Sequence, residues 1–154
     1  WTLGCASAAA PDRALCAPAV DPEDRRLMGV EQEAAVRAFI TDLEGEQLDA
    51  AQIERAVNRM TPDAEWHVVA WHDPFVGHDA IRAEFLREAQ LFRGLRIEIL
   101  AIASTGNIVF NERIDSMMFR GKPLRAHIAG VFEVDADGKI AAWRDYSDTR
   151  EVAP

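Results

Sequence analysis

The apolar positions of this chain change period partway along. Between Val30 and Leu43, the residues Val36, Phe39, Ile40 and Leu43 recur at helical spacing, and Gly45 offers a stop. From Leu48 to Met60, Ile53, Val57 and Met60 repeat that spacing, and Thr61-Pro62-Asp63 predicts the end of a second helix. Residues Glu65 to Trp71 are rich in aromatic and β-branched types and predict a strand closed by His72-Asp73-Pro74. Gly77-His78-Asp79 leads into a third predicted helix, Ala80 to Phe92, with Ile81, Phe85 and Leu86 facing one way. The rest reads as strands: Leu95 to Ala103, Asn107 to Phe119, Leu124 to Val134, and Lys139 to about Asp148. Thr105-Gly106-Asn107, Arg120-Gly121-Lys122-Pro123 and Asp135-Ala136-Asp137-Gly138 carry the Gly, Asn and Asp that tight antiparallel turns require.

Helices followed by a long meander predict an α+β fold, a curved and mostly antiparallel or mixed sheet forming a cone with the N-terminal helices packed in its concave face. Such a cone encloses a blind, apolar pocket of the kind that takes a small molecule. A chain of 154 residues supports one core. The expected organisation is one domain over residues 28–150, between a disordered or extended tail at 1–27 and a short tail at 151–154. The first stretch is rich in Ala and Pro, without an apolar period or the basic start and unbroken apolar run of a signal peptide. Met28 is a candidate natural first residue, with the preceding stretch an upstream extension.

Charge and composition narrow the partners. With 17 basic against 26 acidic residues and a net charge of -9, the chain repels phosphate backbones and anionic bilayers, so neither nucleic acid nor membrane is an expected partner. No apolar run approaches the ~20 residues of a membrane span. Both cysteines, Cys5 and Cys16, precede the domain, which therefore cannot depend on a disulfide; a reducing compartment, the cytoplasm, is expected. His67, His72, His78 and His127 match no common zinc spacing, no glycine-rich phosphate loop is present, and neither metal nor cofactor is expected.

The informative residues are charges inside strands that otherwise look buried. Period-two alternation puts Val109, Asn111, Arg113, Asp115 and Met117 on one face of their strand, and Ala141, Trp143, Asp145 and Ser147 on one face of the last. If both faces line the pocket, one arginine and two carboxylates converge there. Two close carboxylates in an apolar cavity tend to hold one proton between them, so that one can donate and the other accept. The competing reading is a buried network that only fixes strand register, or charges on a solvent face.

The strings Asn111-Glu112-Arg113-Ile114-Asp115, Gly130-Val131-Phe132, Gly138-Lys139-Ile140 and Trp143-Arg144-Asp145-Tyr146-Ser147-Asp148 resemble, in order and spacing, the limonene-1,2-epoxide hydrolases, within a wider cystatin-like or nuclear-transport-factor-like superfamily. The likeness covers about residues 30 to 150. It implies one-step hydrolysis of a small apolar epoxide to a vicinal diol, without metal, cofactor or covalent intermediate. By position, Asp145 matches the general base, Asp115 the general acid and Arg113 the bridge between them. The family's water-holding tyrosine and asparagine fall at Trp66 and Val68, a departure: an indole N–H can still donate to water, whereas valine offers no polar atom. Phe92, Met117, Ala126, Ile128, Trp143 and Ser147 fall where family members line the pocket, although core packing would explain the apolar ones equally well. A homodimer paired through the outer face of the sheet is expected by resemblance alone.

Two other functions fit the same scaffold. A steroid isomerase or polyketide cyclase would want an inward tyrosine beside a protonated acid, but alternation turns the sole tyrosine, Tyr146, away from Asp145. A non-catalytic binding module would keep the Arg-Asp-Asp set for structure only.

Overall fold

The structure, a computed structural model, describes residues 22–69 and 72–148. Its elements are α1 (Pro22–Leu43), α2 (Ala50–Asn58), β1 (Met60–His67), β2 (Phe75–Val76), α3 (Gly77–Glu88), β3 (Phe92–Thr105), β4 (Ile108–Phe119), β5 (Lys122–Val134) and β6 (Ile140–Ser147). The strands form one sheet in the order β2-β1-β6-β5-β4-β3. Every neighbouring pair is antiparallel except β1 and β6, which run parallel, so the sheet is mixed and open. Helices α1 and α3 pack across it, α1 against β3 and α3 against β1. This is the expected α+β arrangement.

Local chemistry accounts for the elements. The predicted stripe of α1 is the buried one: Val36, Phe39, Ile40 and Leu43 all enter the core. Helix α2 begins with a reciprocal cap, in which Asp49 accepts from the Gln52 backbone N–H at 2.8 Å and the Gln52 side chain accepts from the Asp49 N–H at 3.1 Å. The β4–β5 hairpin closes through Arg120 (φ 49°) and Gly121 (φ 80°), positive at both central positions as a type I′ turn requires.

Several boundaries differ from expectation, each for a physical reason. The first helix starts at Pro22 rather than near Val30, so residues 22–27 of the expected tail are helical; proline's fixed φ suits a first helical turn. Thr61-Pro62-Asp63 lies inside β1 rather than ending a helix. The proline is accommodated because β1 bulges between Met60 and Glu65, where pairing with β6 is interrupted. Helix α3 ends at Glu88, and Phe92 opens β3 instead of closing the helix. Leu86 points to solvent at 45 % exposure; the buried face of α3 is Ile81, Glu84 and Phe85, continued by the C-cap residue Ala89. The two-residue β2 had too little sequence to be read. Trp71, residues 1–21 with both cysteines, and the tail at 151–154 lie outside the described residues. Among the described residues, no helix is long and apolar enough to cross a membrane.

Candidate active site

Strands β4, β5 and β6 form the wall on which the charged residues converge. Antiparallel pairing sets Arg113 opposite Ile128, Asp115 opposite Ala126, Asn111 opposite Gly130, and Gly130 in turn opposite Asp145. Alternation then points Asn111, Arg113, Asp115 and Asp145 toward the helices. All four are buried, Arg113 at 2 % exposure. Burying these charges is tolerable only because each is paired.

Arg113 is the hub. Its Nη1 and Nη2 donate to Oδ1 and Oδ2 of Asp145 at 3.0 and 2.7 Å, while its Nε donates to Oδ1 of Asp115 at 3.0 Å. Nη1 also reaches Oδ1 of Asn111 at 3.3 Å, and that oxygen accepts the Gly130 backbone N–H at 3.1 Å. The indole N–H of Trp143 donates to Oδ1 of Asp145 at 2.7 Å. Asp145 thus meets donors on both oxygens, which leaves it placed as an acceptor. Asp115 meets one edge of the guanidinium only. Burial pushes the Asp115 carboxyl up to about 6, with Asp145 adding to the shift and Arg113 opposing it. Burial works against the charge on Arg113, yet the two carboxylates outweigh it and raise its pKa.

The guanidinium requires a glycine at position 130. A Cβ there would lie 2.5 Å from both Nη1 of Arg113 and Oδ1 of Asn111, and 3.0 Å from the Phe132 ring. The need is for close approach, since the side chains of β4 cross over the backbone of β5 at this point.

These groups open into a cavity of about 250 Å³, predominantly apolar, between the sheet and the helices. Its lining includes Phe92, Met117, Ala126, Ile128, Trp143 and Ser147, together with Arg113, Asp115 and Asp145. Trp66 and Val68 are also in the wall, whereas His67 is not. Trp66 is sandwiched: its ring stacks on Trp143 at 4.9 Å and lies against Phe85 at 4.6 Å, and its N–H is buried without a hydrogen-bond partner among the described residues. Thus Trp143, not Trp66, brings an indole N–H to the acid.

Three features escaped the sequence reading. The Trp143 donor follows from its i, i+2 relation to Asp145, a signal that was present but read only as pocket lining. Alternation puts Asn111 on the face of Arg113, but its role between Arg113 and Gly130 needs the cross-strand register. Glu88 also lines the cavity, and its spacing from Ile81 and Phe85 on α3 was a usable helical signal. Among the described residues, no group of three or more His, Cys, Asp or Glu side chains is arranged to hold a metal ion.

Residues 30–153 match the family model for the limonene-1,2-epoxide hydrolase catalytic domain. The chain is 30% identical over 123 residues to epoxide hydrolase EphG of Mycobacterium tuberculosis (strain ATCC 25618 / H37Rv), covering 77% of this chain and 74% of that protein. A solved structure of a Mycobacterium tuberculosis LEH-like epoxide hydrolase superposes with a TM-score of 0.67 at 25% identity, over 80% of this chain and 87% of that one. With the order and spacing of its charged strand residues, these matches establish that the chain belongs to the limonene-1,2-epoxide hydrolase family.

Proposed function

We propose that this chain hydrolyses a small, apolar epoxide, terpene-like or cyclic, to a vicinal diol in one concerted step. The observation that carries the reading is Arg113 held between two buried carboxylates, one surrounded by donors and one with a raised pKa, at the wall of an apolar cavity. Asp145 takes a proton from water as the water oxygen bonds to an epoxide carbon. The carbon–oxygen bond breaks, and Asp115 gives its proton to the departing oxygen. One proton then returns from Asp145 to Asp115 through solvent. Doing both transfers together avoids a free alkoxide, and Arg113 keeps the pair's net charge balanced throughout.

The cavity supports the substrate class. Its predominantly apolar wall offers an apolar body little to hydrogen-bond beyond the acids, and its small volume suits a compact ligand. Metal and cofactor play no part in the proposed step.

A homodimer belongs to the same proposal. The outer face of the sheet carries Phe110 and Tyr146, each 46 % exposed, with Val131 paired beside Phe110 and Ala129 beside Tyr146. An apolar strip of this kind is suited to a second copy of the chain.

The deciding experiment measures diol formation from a panel of terpene and cyclic meso-epoxides by the wild type, Asp145→Asn and Asp115→Asn. Turnover by the wild type that falls at least about a hundredfold in each variant is expected for a coupled acid–base pair. Absence of turnover on every epoxide would favour a non-catalytic binding module instead.

A further inference from the structure

Helix α3 turns two glutamates toward the protein interior, and only one of them is accounted for. Glu84 is engaged by Arg87, whose Nε donates to it at 2.7 Å and whose Nη2 contacts its other oxygen. Glu88, one turn further on, lines the cavity, and among the described residues no side chain is hydrogen-bonded to its carboxyl, although its backbone carbonyl accepts from Leu91 at 2.8 Å. Its position relative to the charged pair follows from the aromatic stack. Phe85 precedes it by three residues on the same helical face and lies 4.6 Å from Trp66; Trp66 stacks on Trp143 at 4.9 Å; and Trp143 donates to Asp145. Glu88 therefore belongs to the Asp145 end of the cavity.

A water held by Asp145 in this cavity needs a second polar partner. Asp145 can accept one hydrogen. Val68 has no polar atom, and the N–H of Trp66 is enclosed by its own stack and could in any case only donate. The second hydrogen requires an acceptor; the lining offers Glu46, Gln47 and Ser147 as well as Glu88, and Glu88 lies near enough to Asp145 for that carboxylate's charge to act on it.

We propose that Glu88 is a further catalytic residue, which as the neutral carboxylic acid accepts, through its carbonyl oxygen, the second hydrogen of the water that Asp145 deprotonates. The inference rests on the epoxide hydrolase reading. Glu88 keeps its own proton throughout, so the atom balance of the reaction is unchanged. Its carboxyl is pushed up to about 8 by burial first, with Glu84 and Asp145 adding and Arg87 opposing, so it is neutral at pH 7. The other charged groups facing the cavity are Arg113 and Asp115 from β4, Arg93 from β3, and Glu46 from the segment between α1 and α2. Above pH 8 the ionised Glu88 sets a second anion toward Asp145, and an apolar substrate would have to cover an unpaired charge.

The test compares wild type, Glu88→Gln, Glu88→Leu and Asp145→Asn on an epoxide the wild type hydrolyses, following kcat, KM and pH dependence. Glutamine retains a carbonyl acceptor and cannot ionise; leucine fills similar space without one. The expected result is a loss of about tenfold or more in kcat for Glu88→Leu with little change in KM, and near-wild-type kcat for Glu88→Gln. The wild type should lose an extra proton-linked factor in kcat/KM above about pH 8, and Glu88→Gln should not. A melting temperature for Glu88→Leu equal to or above the wild type excludes misfolding as the cause. Wild-type kcat in Glu88→Leu beside an inactive Asp145→Asn overturns the role of Glu88 alone. No epoxide turnover by the wild type overturns both readings.

Discussion

At the scale of single residues, the site works by giving two chemically identical carboxyl groups different surroundings. Asp145 receives hydrogen bonds from Arg113 and from Trp143; Asp115 receives only the Nε edge of Arg113, and burial raises its carboxyl. Environment rather than residue type thus assigns acceptor and donor. Because Asp115 must be protonated to donate and its carboxyl is raised to about 6, kcat/KM should begin to fall as pH rises through about 6. A kcat/KM profile that stays flat from pH 5 to 8 would remove Asp115 from the mechanism. Trp143→Phe keeps a ring of similar placement but removes the N–H to Asp145. A hydrogen bond to a charged group contributes about 1.5–3 kcal/mol, so kcat should fall by about tenfold or more, while circular dichroism stays close to the wild type.

At the scale of elements, the decisive feature is how closely β5 lies under the side chains of β4. Gly130 leaves room for the guanidinium and for Asn111, and its own N–H anchors the Asn111 carbonyl. Gly130→Ala should force Arg113 off Asp145, destabilise the fold by about 1–3 kcal/mol and reduce kcat far more than it changes KM. Chemical denaturation with steady-state kinetics reads both; wild-type values in the alanine variant would show that the guanidinium has slack this packing does not suggest. The elements also explain which sequence signals were reliable. Alternation along β4 and β6 placed Asn111, Arg113, Asp115, Trp143 and Asp145 on their correct faces because a strand's period survives twisting. Pro62 predicts a break between α2 and β1, whereas it lies within β1, because the bulge beside β6 removes the hydrogen bond that proline cannot make. The periodicity carries α3 on to Phe92, whereas the helix ends at Glu88, because apolar residues at a helix–strand junction fit either period.

At the scale of the whole molecule, two raised acids link the cavity to folding stability. An acid whose folded pKa lies above its unfolded value binds its proton more tightly when folded, so its contribution favours folding at low pH and is lost as pH rises through the folded pKa. For Asp115 that window runs from 3.8 to about 6, and for Glu88 from 4.5 to about 8. Thermal denaturation should therefore show Glu88→Gln gaining on the wild type as pH is raised from 5 to 9. A constant difference across that range would mean the carboxyl titrates as it does in the unfolded chain. The outer face provides a second whole-molecule test. If the strip around Phe110 and Tyr146 pairs two copies, Phe110→Glu should shift the protein to monomer by light scattering, with the cavity and its hydrolysis otherwise intact.

The sequence by itself determined the periods, and with them the class of fold, the apolar stripe of α1 and the shared faces that pair Arg113 with Asp115 and Trp143 with Asp145; that those faces turn inward was settled by the tertiary structure. The periods and shared faces follow from geometry that repeats every few residues and so is written locally. Only the tertiary structure decided what those side chains meet. The parallel return of β6 beside β1, the stack of Phe85, Trp66 and Trp143, the clearance over Gly130 and the facing of Glu88 toward Asp145's end of the cavity join residues tens of positions apart. Such contacts depend on cross-strand register and on how a helix seats on a twisted sheet, and no local pattern encodes either.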